Sequence, residues 1–340
     1  MKRVIAGLLA AALMAFSLVG CSGGSTSSSS AAGTGDKAES SSAEAKKTAA
    51  MIVQIPAGDP FIELAYAGVK QLGEKYNMDT KIIEALDKSE HVEQIRSMAK
   101  IGANPIYVLW DELGEAVLEV APLYPDTKFI IGDAYVKSDL PNVATIVVEP
   151  YESAFIAGYV AAKTTQTKKI AFAGSMDNPV INRFKSGYIN GAKYADPSVG
   201  VEVVYVGSAN DPVKGQEVAK ILVKNGADVI MQAANKSGLG IIKGCEEMGV
   251  KAIGVDDWQG AINEDVVIWS ALKDITGAIF YAGDSVVNDK FESGMREYNL
   301  TDGISMYDDR DFAKLSPELQ KEVEAVVAGI KDGSINVMAE

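Results

Sequence analysis

Near its middle the chain reads Ile170-Ala171-Phe172-Ala173-Gly174-Ser175-Met176-Asp177-Asn178-Pro179-Val180-Ile181-Asn182-Arg183-Phe184. The first four residues predict a buried strand, and the residues from Gly174 to Asn178 predict a tight turn. Pro179 is typical of the first residue of a helix, which we expect to run to about Tyr194. In an open α/β sheet such a turn lies at the carboxyl edge of the strands, where small molecules bind against helix N-termini. This stretch therefore predicts a small-molecule site on an α/β sheet.

On both sides of this unit, short apolar runs alternate with amphipathic segments. The predicted strands lie near residues 50–55, 80–83, 106–109, 128–131, 144–148, 170–173, 201–206, 229–231, 252–255 and 267–272. Helices are predicted between most of them, and this alternation is typical of a parallel, doubly wound sheet. A last helix, 275–288, is expected to cross back to the first half. We therefore predict a clamshell with lobe 1 at 48–148 plus 274–340 and lobe 2 at 149–273.

The first residues have the pattern of an export signal. Met1-Lys2-Arg3 is basic, and the apolar run from Val4 to Phe16 is shorter than the about 20 residues of a transmembrane helix. Leu18-Val19-Gly20-Cys21 resembles the lipobox of bacterial lipoproteins, where the cysteine carries the lipid. A plain secretory signal with an incidental cysteine is the alternative. We predict a signal peptide over residues 1–20, lipidation at Cys21, and a location on the extracytoplasmic face of a bacterial cell membrane.

Composition limits the partners of the chain. Residues 21–47 are rich in serine, alanine and glycine and predict a disordered tether, because they bury too little apolar surface to offset their ordering entropy. Without residues 1–20 the chain keeps 30 basic and 46 acidic residues, a net charge of −16. Such an acidic body repels phosphate backbones, so we expect no nucleic acid partner and a membrane contact made through the lipid alone.

The same composition argues against an enzyme. The single histidine, His91, lies at a predicted helix start and is expected to be solvated. Cys245 lies on an apolar helix face and is expected to be a core residue. Common metal sites and Cys/His nucleophilic sites are excluded, because no histidine pair and no second free thiol remain. We expect no catalytic residue, no metal and no cofactor.

Four segments together resemble the basic membrane protein family of lipoproteins. They are Tyr151 to Ala162, Ala173 to Tyr188, Ile253 to Gln259 and Trp269 to Lys273. The resemblance implies a type I periplasmic-binding-protein fold and the role of substrate-binding lipoprotein of an ABC importer, with permease subunits as partners. It also implies a purine nucleoside as the ligand. A sugar or another heteroaromatic ligand, or a ligand-sensing surface lipoprotein without transport, remain alternatives.

The resemblance further implies which residues bind the ligand. Phe61 and Phe184 would face a purine from opposite lobes, and each stacked base is worth about 1 to 3 kcal/mol. Asp256 and Lys273 match positions that hold ribose hydroxyls. The alternatives are core packing for the two phenylalanines, a helix cap or loop acid for Asp256, and a solvated hinge charge for Lys273.

Three further residues complete the predicted site. Asp59 is a good helix cap, and Gly58 to Phe61 are reminiscent of a loop in sugar-binding relatives. Trp110 ends a predicted strand and offers either a stacking surface or packing. Gly238 lies where the family has a glycine-rich turn. Ile62 and Lys236 depart from the family pattern, which leaves the choice of ligand open.

Overall fold

The computed structural model describes residues 46–302 and 306–338. The predicted signal peptide, Cys21 and residues 22–45 of the predicted tether lie outside the described residues. In chain order the strands are β1 (Thr48–Val53), β2 (Asp79–Glu84), β3 (Ile106–Leu109), β4 (Phe129–Gly132), β5 (Val143–Val148), β6 (Lys169–Gly174), β7 (Gly200–Tyr205), β8 (Val229–Ala233), β9 (Lys251–Asp256), β10 (Val267–Leu272) and β11 (Gly294–Tyr298). The helices are α1 (Pro60–Tyr76), α2 (His91–Lys100), α3 (Trp110–Val120), α4 (Tyr151–Thr164), α5 (Pro179–Ala195), α6 (Pro212–Lys224), α7 (Asn235–Met248), α8 (Ile275–Val287), α9 (Asp309–Phe312) and α10 (Pro317–Lys331). In these two described ranges, no helix is both long enough and apolar enough to cross a bilayer.

Lobe 1 is built on a six-stranded parallel sheet with the strand order β11-β5-β4-β3-β1-β2. Successive residues of a strand point to opposite faces. Met51 accordingly packs in an apolar cluster with α1 and α8, and its neighbour Ile52 packs in a second cluster with α2 and α3. Helices therefore cover both faces of this sheet, which explains why its central strands are continuous apolar runs.

Lobe 2 is built on a five-stranded parallel sheet with the order β10-β9-β8-β6-β7. Phe172 packs against α4 and α5, and its neighbour Ala173 packs in the cluster that holds α6 and α7. Helices thus flank this sheet on both faces as well. The predicted fold class, α/β with two doubly wound parallel-sheet lobes, is confirmed.

Glycines let α4 and α5 pack unusually closely. A Cβ atom on Gly191 would lie 1.8 Å from the backbone oxygen of Phe155, and one on Gly158 would lie 2.0 Å from that of Tyr188. Only a residue without a side chain fits such an approach. The helix that follows the central turn is therefore held firmly on lobe 2.

Helix α10 packs on lobe 2, which differs from the predicted assignment of 274–340 to lobe 1. α8 and β11 do lie on lobe 1, where they pack with α1 and pair with β5. α10, however, buries Val323 and Ile330 in the apolar cluster of α4. The physical reason is that α4 is buried over residues 153–162, so the helix needs an apolar partner on the side that faces away from the sheet.

Two reactive side chains are buried. Cys245 lies in the core of lobe 2, as predicted, and burial raises the pKa of its thiol to about 12. His91 is only 3% exposed, and its Nε2 lies 3.1 Å from the backbone oxygen of Ala85. The prediction that His91 is solvated is wrong, because a 3₁₀ turn at Lys88–Glu90 precedes α2 and the helix begins with His91 facing the protein.

Candidate ligand-binding site

A cavity of about 220 Å³ lies between the two lobes. Lobe 1 contributes residues that follow β1, β3 and β4, and lobe 2 contributes residues that follow β6 and β8 or end β9. Parallel strands bring their carboxyl ends to one edge of each sheet, and the two edges face each other here. Five of the predicted ligand-binding residues line the cavity, namely Phe61, Trp110, Phe184, Asp256 and Lys273.

Two aromatic rings form the wall of lobe 1. The rings of Phe61 and Trp110 are stacked, with centroids 5.7 Å apart and an angle of 20° between their planes. Trp110 follows β3 directly with a φ of 65°, in the left-handed region that bulky residues rarely adopt. Its indole nitrogen donates a hydrogen bond to Asp133 Oδ2 at 3.3 Å. Trp110 therefore packs on Phe61 and also lines the cavity, so the two alternatives for this residue are not exclusive.

Lys273 connects the two lobes at the base of the cavity. The residue follows β10, is 1% exposed, and forms a buried ion pair with Asp133 of lobe 1. Its ammonium lies 5.5 Å from the centroid of the Phe61 ring and 5.4 Å from that of Phe184. Both distances are within the range of a cation–π contact. The side chain is thus a buried, paired cation and not a solvated hinge charge.

Asp256 supplies a carboxyl group from lobe 2. It ends β9 with a φ of 71°, so this residue, like Trp110, holds an uncommon backbone conformation beside the cavity. Burial raises the pKa of Asp256 to about 7. The charge of Lys273 opposes this rise, and the charges of Asp133 and Asp59 add to it. Near neutral pH the group therefore exchanges readily between an acceptor-only carboxylate and a protonated form that also donates.

Asp59 joins the lobes and does not itself line the cavity. Its Oδ1 caps α1 by accepting hydrogen bonds from the backbone N–H groups of Phe61 at 3.0 Å and Ile62 at 3.4 Å. The same carboxylate accepts from Asn235 Nδ2 at 3.2 Å and from the backbone N–H of Lys236 at 3.2 Å, both at the start of α7 in lobe 2. Burial raises the pKa of Asp59, and the hydrogen bond from Asn235 is the largest opposing effect.

Gly238 lies inside α7 and is not among the residues that line the cavity. The helix begins at Asn235, so the expected glycine turn is the first turn of a helix. A Cβ atom on Gly238 would lie 1.8 Å from Gln232 Oε1. The glycine therefore allows close packing against a buried side chain, and Asn235 takes the place beside the cavity.

A third contact between the lobes lies at the hinge. Arg183 on α5 forms an ion pair with Glu149, which directly follows β5. The guanidinium group also lies 4.2 Å from the ring centroid of Tyr135 in lobe 1. Burial raises the pKa of Glu149, and the charge of Arg183 counteracts the rise. Together with the contacts of Asp59 and Lys273, this contact links the two lobes in the structure.

A family model for PnrA-like ABC transporter substrate-binding proteins (Bmp) matches residues 45–339. The chain belongs to this family. It is 30% identical over 283 residues to basic membrane protein A of Borreliella burgdorferi, covering 82% of this chain and 83% of that one. It is 28% identical over 299 residues to the ABC transporter nucleoside-binding protein BmpA of Lactococcus lactis, covering 82% and 84%.

Solved structures of other proteins share the fold of this basic membrane protein family member. An ABC transporter solute-binding protein from Aeropyrum pernix superimposes with a TM-score of 0.76 at 22% identity, covering 85% of this chain and 92% of that one. A second, from Conexibacter woesei, gives a TM-score of 0.66 at 21% identity, covering 85% and 98%. The two lobes are therefore of the periplasmic-binding-protein type.

Gln54 and Asp133 are among the cavity residues of this family member that were not identified from its sequence. Gln54 follows β1 and Asp133 follows β4, so both lie at the same sheet edge as Trp110. A polar residue directly after a buried strand was the available signal for both. It was not enough, because the end of a strand predicts a position at the edge but not the direction of the side chain.

Proposed function

We propose that this chain captures a purine nucleoside or a related small molecule for an ABC importer. The observation that carries the proposal is that Phe61 and Phe184, from opposite lobes, line one cavity and contact the same ammonium group. Aromatic faces on both sides of a cleft are suited to a flat ring, and each stacked base contributes about 1 to 3 kcal/mol.

The charge of the cavity supports an uncharged ligand. Its lining includes four acidic side chains in the described residues, Asp111, Glu112, Asp133 and Asp256, against the single basic side chain of Lys273. A phosphate group would be repelled by this arrangement. Asp256 can accept hydrogen bonds from hydroxyl groups, which supports a ligand that joins a ring to a polyol.

Capture follows from closure of the lobes. A ligand that contacts lobe 1 through Phe61 and lobe 2 through Phe184 and Asp256 gains its full binding energy only when the lobes are closed. It therefore shifts the population towards the closed form. The closed, liganded form is the one that we propose docks on the permease subunits of the importer.

The nucleoside as ligand is supported by the name of the relative from Lactococcus lactis, which is a nucleoside-binding protein. At 28% identity this relative supports the class of ligand and not its identity. Sugars are the alternative, because the stacking surface and the carboxyl group of Asp256 would suit a sugar ring as well.

The test uses residues 45–340, which form one compact unit. Thermal unfolding is measured with inosine, guanosine, adenosine, free bases, inosine monophosphate and simple sugars. A ligand at 100 times its dissociation constant adds about 2.7 kcal/mol to the folded state, which raises the midpoint by several degrees. Stabilisation by nucleosides but not by the monophosphate supports the proposal. Stabilisation by sugars alone would replace the nucleoside with a sugar.

A matched pair of variants tests the stacking. Phe184→Leu keeps an apolar side chain but loses the flat ring, and we expect it to weaken nucleoside binding about 5- to 150-fold. Tyr281→Leu is the control, because Tyr281 is 64% exposed on α8 and lies outside the cavity. Equal affinities of the two folded variants would contradict a stacking role for Phe184.

We further propose that Cys21 is lipidated and anchors the protein on the extracytoplasmic face of the membrane. Replacing Cys21 by alanine is expected to prevent incorporation of a labelled fatty acid and to release the protein from the cell. Incorporation of the label into the variant would contradict the assignment. Loss of nucleoside uptake in cells that lack the protein supports transport, whereas unchanged uptake would favour the sensing alternative.

A further inference from the structure

Several polar groups around the cavity are already paired within the protein. Asp133 accepts hydrogen bonds from Lys273 and Trp110, and Asn235 donates to Asp59 across the lobes. A ligand can bind to these groups only in competition with the partners that they have. They are therefore poor candidates for choosing between ligands of similar shape.

Gln54 differs from these residues. It directly follows β1 in lobe 1 and lines the cavity. Its Oε1 is buried and has no hydrogen-bond partner among the residues that the structure describes. Other buried side-chain polar atoms in the described ranges also have no hydrogen-bond partner, but none of them belongs to a residue that lines the cavity.

The two ends of a glutamine amide are assigned from their surroundings and are interchangeable. One end of the Gln54 amide is therefore buried beside the cavity without a partner among the described residues. Buried polar groups in native proteins are nearly always hydrogen-bonded. The missing partner at such a position is most simply supplied by the ligand.

We propose that Gln54 is a specificity-determining residue whose amide hydrogen-bonds the polar edge of a heteroaromatic ring stacked at Phe61. This inference rests on the proposed function and names the part of the ligand that lobe 1 recognises. Gln54 and Phe61 both belong to the segment that leads from β1 into the first turn of α1. Phe61 contacts the face of the ring, which leaves its edge for the amide.

The chemistry of the amide defines the class of ring. It carries a donor and an acceptor side by side, so it pairs with an edge that offers the complementary acceptor and donor. Hypoxanthine and guanine offer an N–H beside a carbonyl oxygen, and adenine offers an amino group beside a ring nitrogen. A purine without an exocyclic substituent offers one acceptor alone and leaves part of the amide unpaired.

The test compares inosine with purine riboside, which lacks the carbonyl oxygen and the adjacent N–H. Affinities are measured by titration calorimetry on the wild-type unit and on Gln54→Leu. The wild type is expected to prefer inosine about 5- to 150-fold, the effect of one unpaired buried polar group. The variant is expected to bind both nucleosides with similar affinity, because it loses its preference for the polar edge.

Gln71→Leu is the matched control, because Gln71 is exposed on α1 in the same lobe and does not line the cavity. It should keep the wild-type preference. Gln54→Asn keeps the amide but withdraws it by one methylene, and it serves if the leucine variant does not fold. If the wild type binds inosine and the folded Gln54 variants keep its preference, the inference is overturned and the proposed function stands. If the wild type binds no nucleoside, both fail.

Discussion

Replacing Asp59 by alanine tests whether contacts within the protein hold the lobes together without a ligand. The carboxylate is 3% exposed and accepts four hydrogen bonds. Two come from the first turn of α1 in lobe 1, and two come from Asn235 and Lys236 at the start of α7 in lobe 2. The substitution therefore removes a helix cap and the bridge between the lobes in a single step.

The two losses have different magnitudes and different consequences. Loss of an N-cap costs about 0.5 to 2 kcal/mol of stability. Loss of the bridge removes two hydrogen bonds to a charged acceptor, and the freed donors can regain water only if the lobes open. We expect this second effect to shift the equilibrium towards the open form by about 1 to 3 kcal/mol, or about 5- to 150-fold.

Asp211→Ala separates the two effects. Asp211 caps α6 by accepting from the backbone N–H of Lys214 at 3.0 Å, and a proline follows it, as one follows Asp59. Its side chain makes no hydrogen bond to lobe 1 among the described residues. Urea unfolding measures the stability of each variant, and small-angle X-ray scattering of the ligand-free unit measures its radius of gyration. Both variants should lose stability, but only Asp59→Ala should expand. Equal radii for the two variants would refute the bridge.

Three further predictions concern the buried charges and the packing of lobe 2. Lys273→Met leaves Asp133 buried without its charged partner and is expected to lower the free energy of unfolding by about 3 to 5 kcal/mol. Neutralising both residues should recover most of the loss in urea unfolding, and an unchanged midpoint for the single variant would contradict the pairing. Because the pKa of Asp256 is raised to about 7 and donation from ligand hydroxyls favours the carboxylate, binding should release a proton, so affinity should rise with pH up to about 7 and then level. Calorimetry in buffers of different ionisation enthalpy checks this release, and a flat affinity from pH 5 to pH 8 would exclude it. Gly191→Ala places a Cβ 1.8 Å from a backbone oxygen of α4 and should lower the melting temperature through overpacking worth about 1 to 3 kcal/mol, whereas Gly58→Ala, with no atom within 4 Å, should change it little.

The sequence predicted the layers of the fold well, because buried parallel strands are short apolar runs. β10 was predicted at 267–272 and forms at those residues. β6 was predicted at 170–173 and extends by one residue at each end. The helix after the central turn begins at Pro179, as the proline predicted. In the structure the side chain of Asn178 caps this helix by accepting from the backbone N–H of Ile181.

The lobe on which α10 packs could not be predicted in the same way. Its apolar face fits any apolar surface of the right shape, and periodicity does not state which lobe offers that surface. The signal lay in another part of the chain, in the uninterrupted burial of α4 over residues 153–162. A helix that is apolar on all sides needs covering on all sides. The prediction of lobe membership therefore required the tertiary partner and not only the segment itself.

At the candidate site, too, the sequence predicted some positions correctly but not the role of every residue. Phe61, Phe184 and Asp256 were placed by the family resemblance, and the structure brings them to one cavity. Asp59 and Gly238 were placed there too, but the structure uses Asp59 to join the lobes and Gly238 for close packing. In both cases a residue near the cavity serves the scaffold around it, and sequence spacing alone does not separate the two roles.

The position of Lys273 couples ligand contact to the hinge. Lys273 directly follows β10, the last strand of lobe 2, and α8 of lobe 1 begins two residues later. Its ammonium pairs with Asp133 of lobe 1 and contacts the ring of Phe184 in lobe 2, so a large rotation of the lobes cannot preserve both contacts. Opening must therefore separate a buried ion pair or carry Lys273 along with lobe 1. Because a separated pair leaves buried charges uncompensated, the lower-energy route keeps Lys273 with Asp133 and moves Phe184 away. The ring of Phe184, and not the ion pair, is then the contact that a ligand restores on closure.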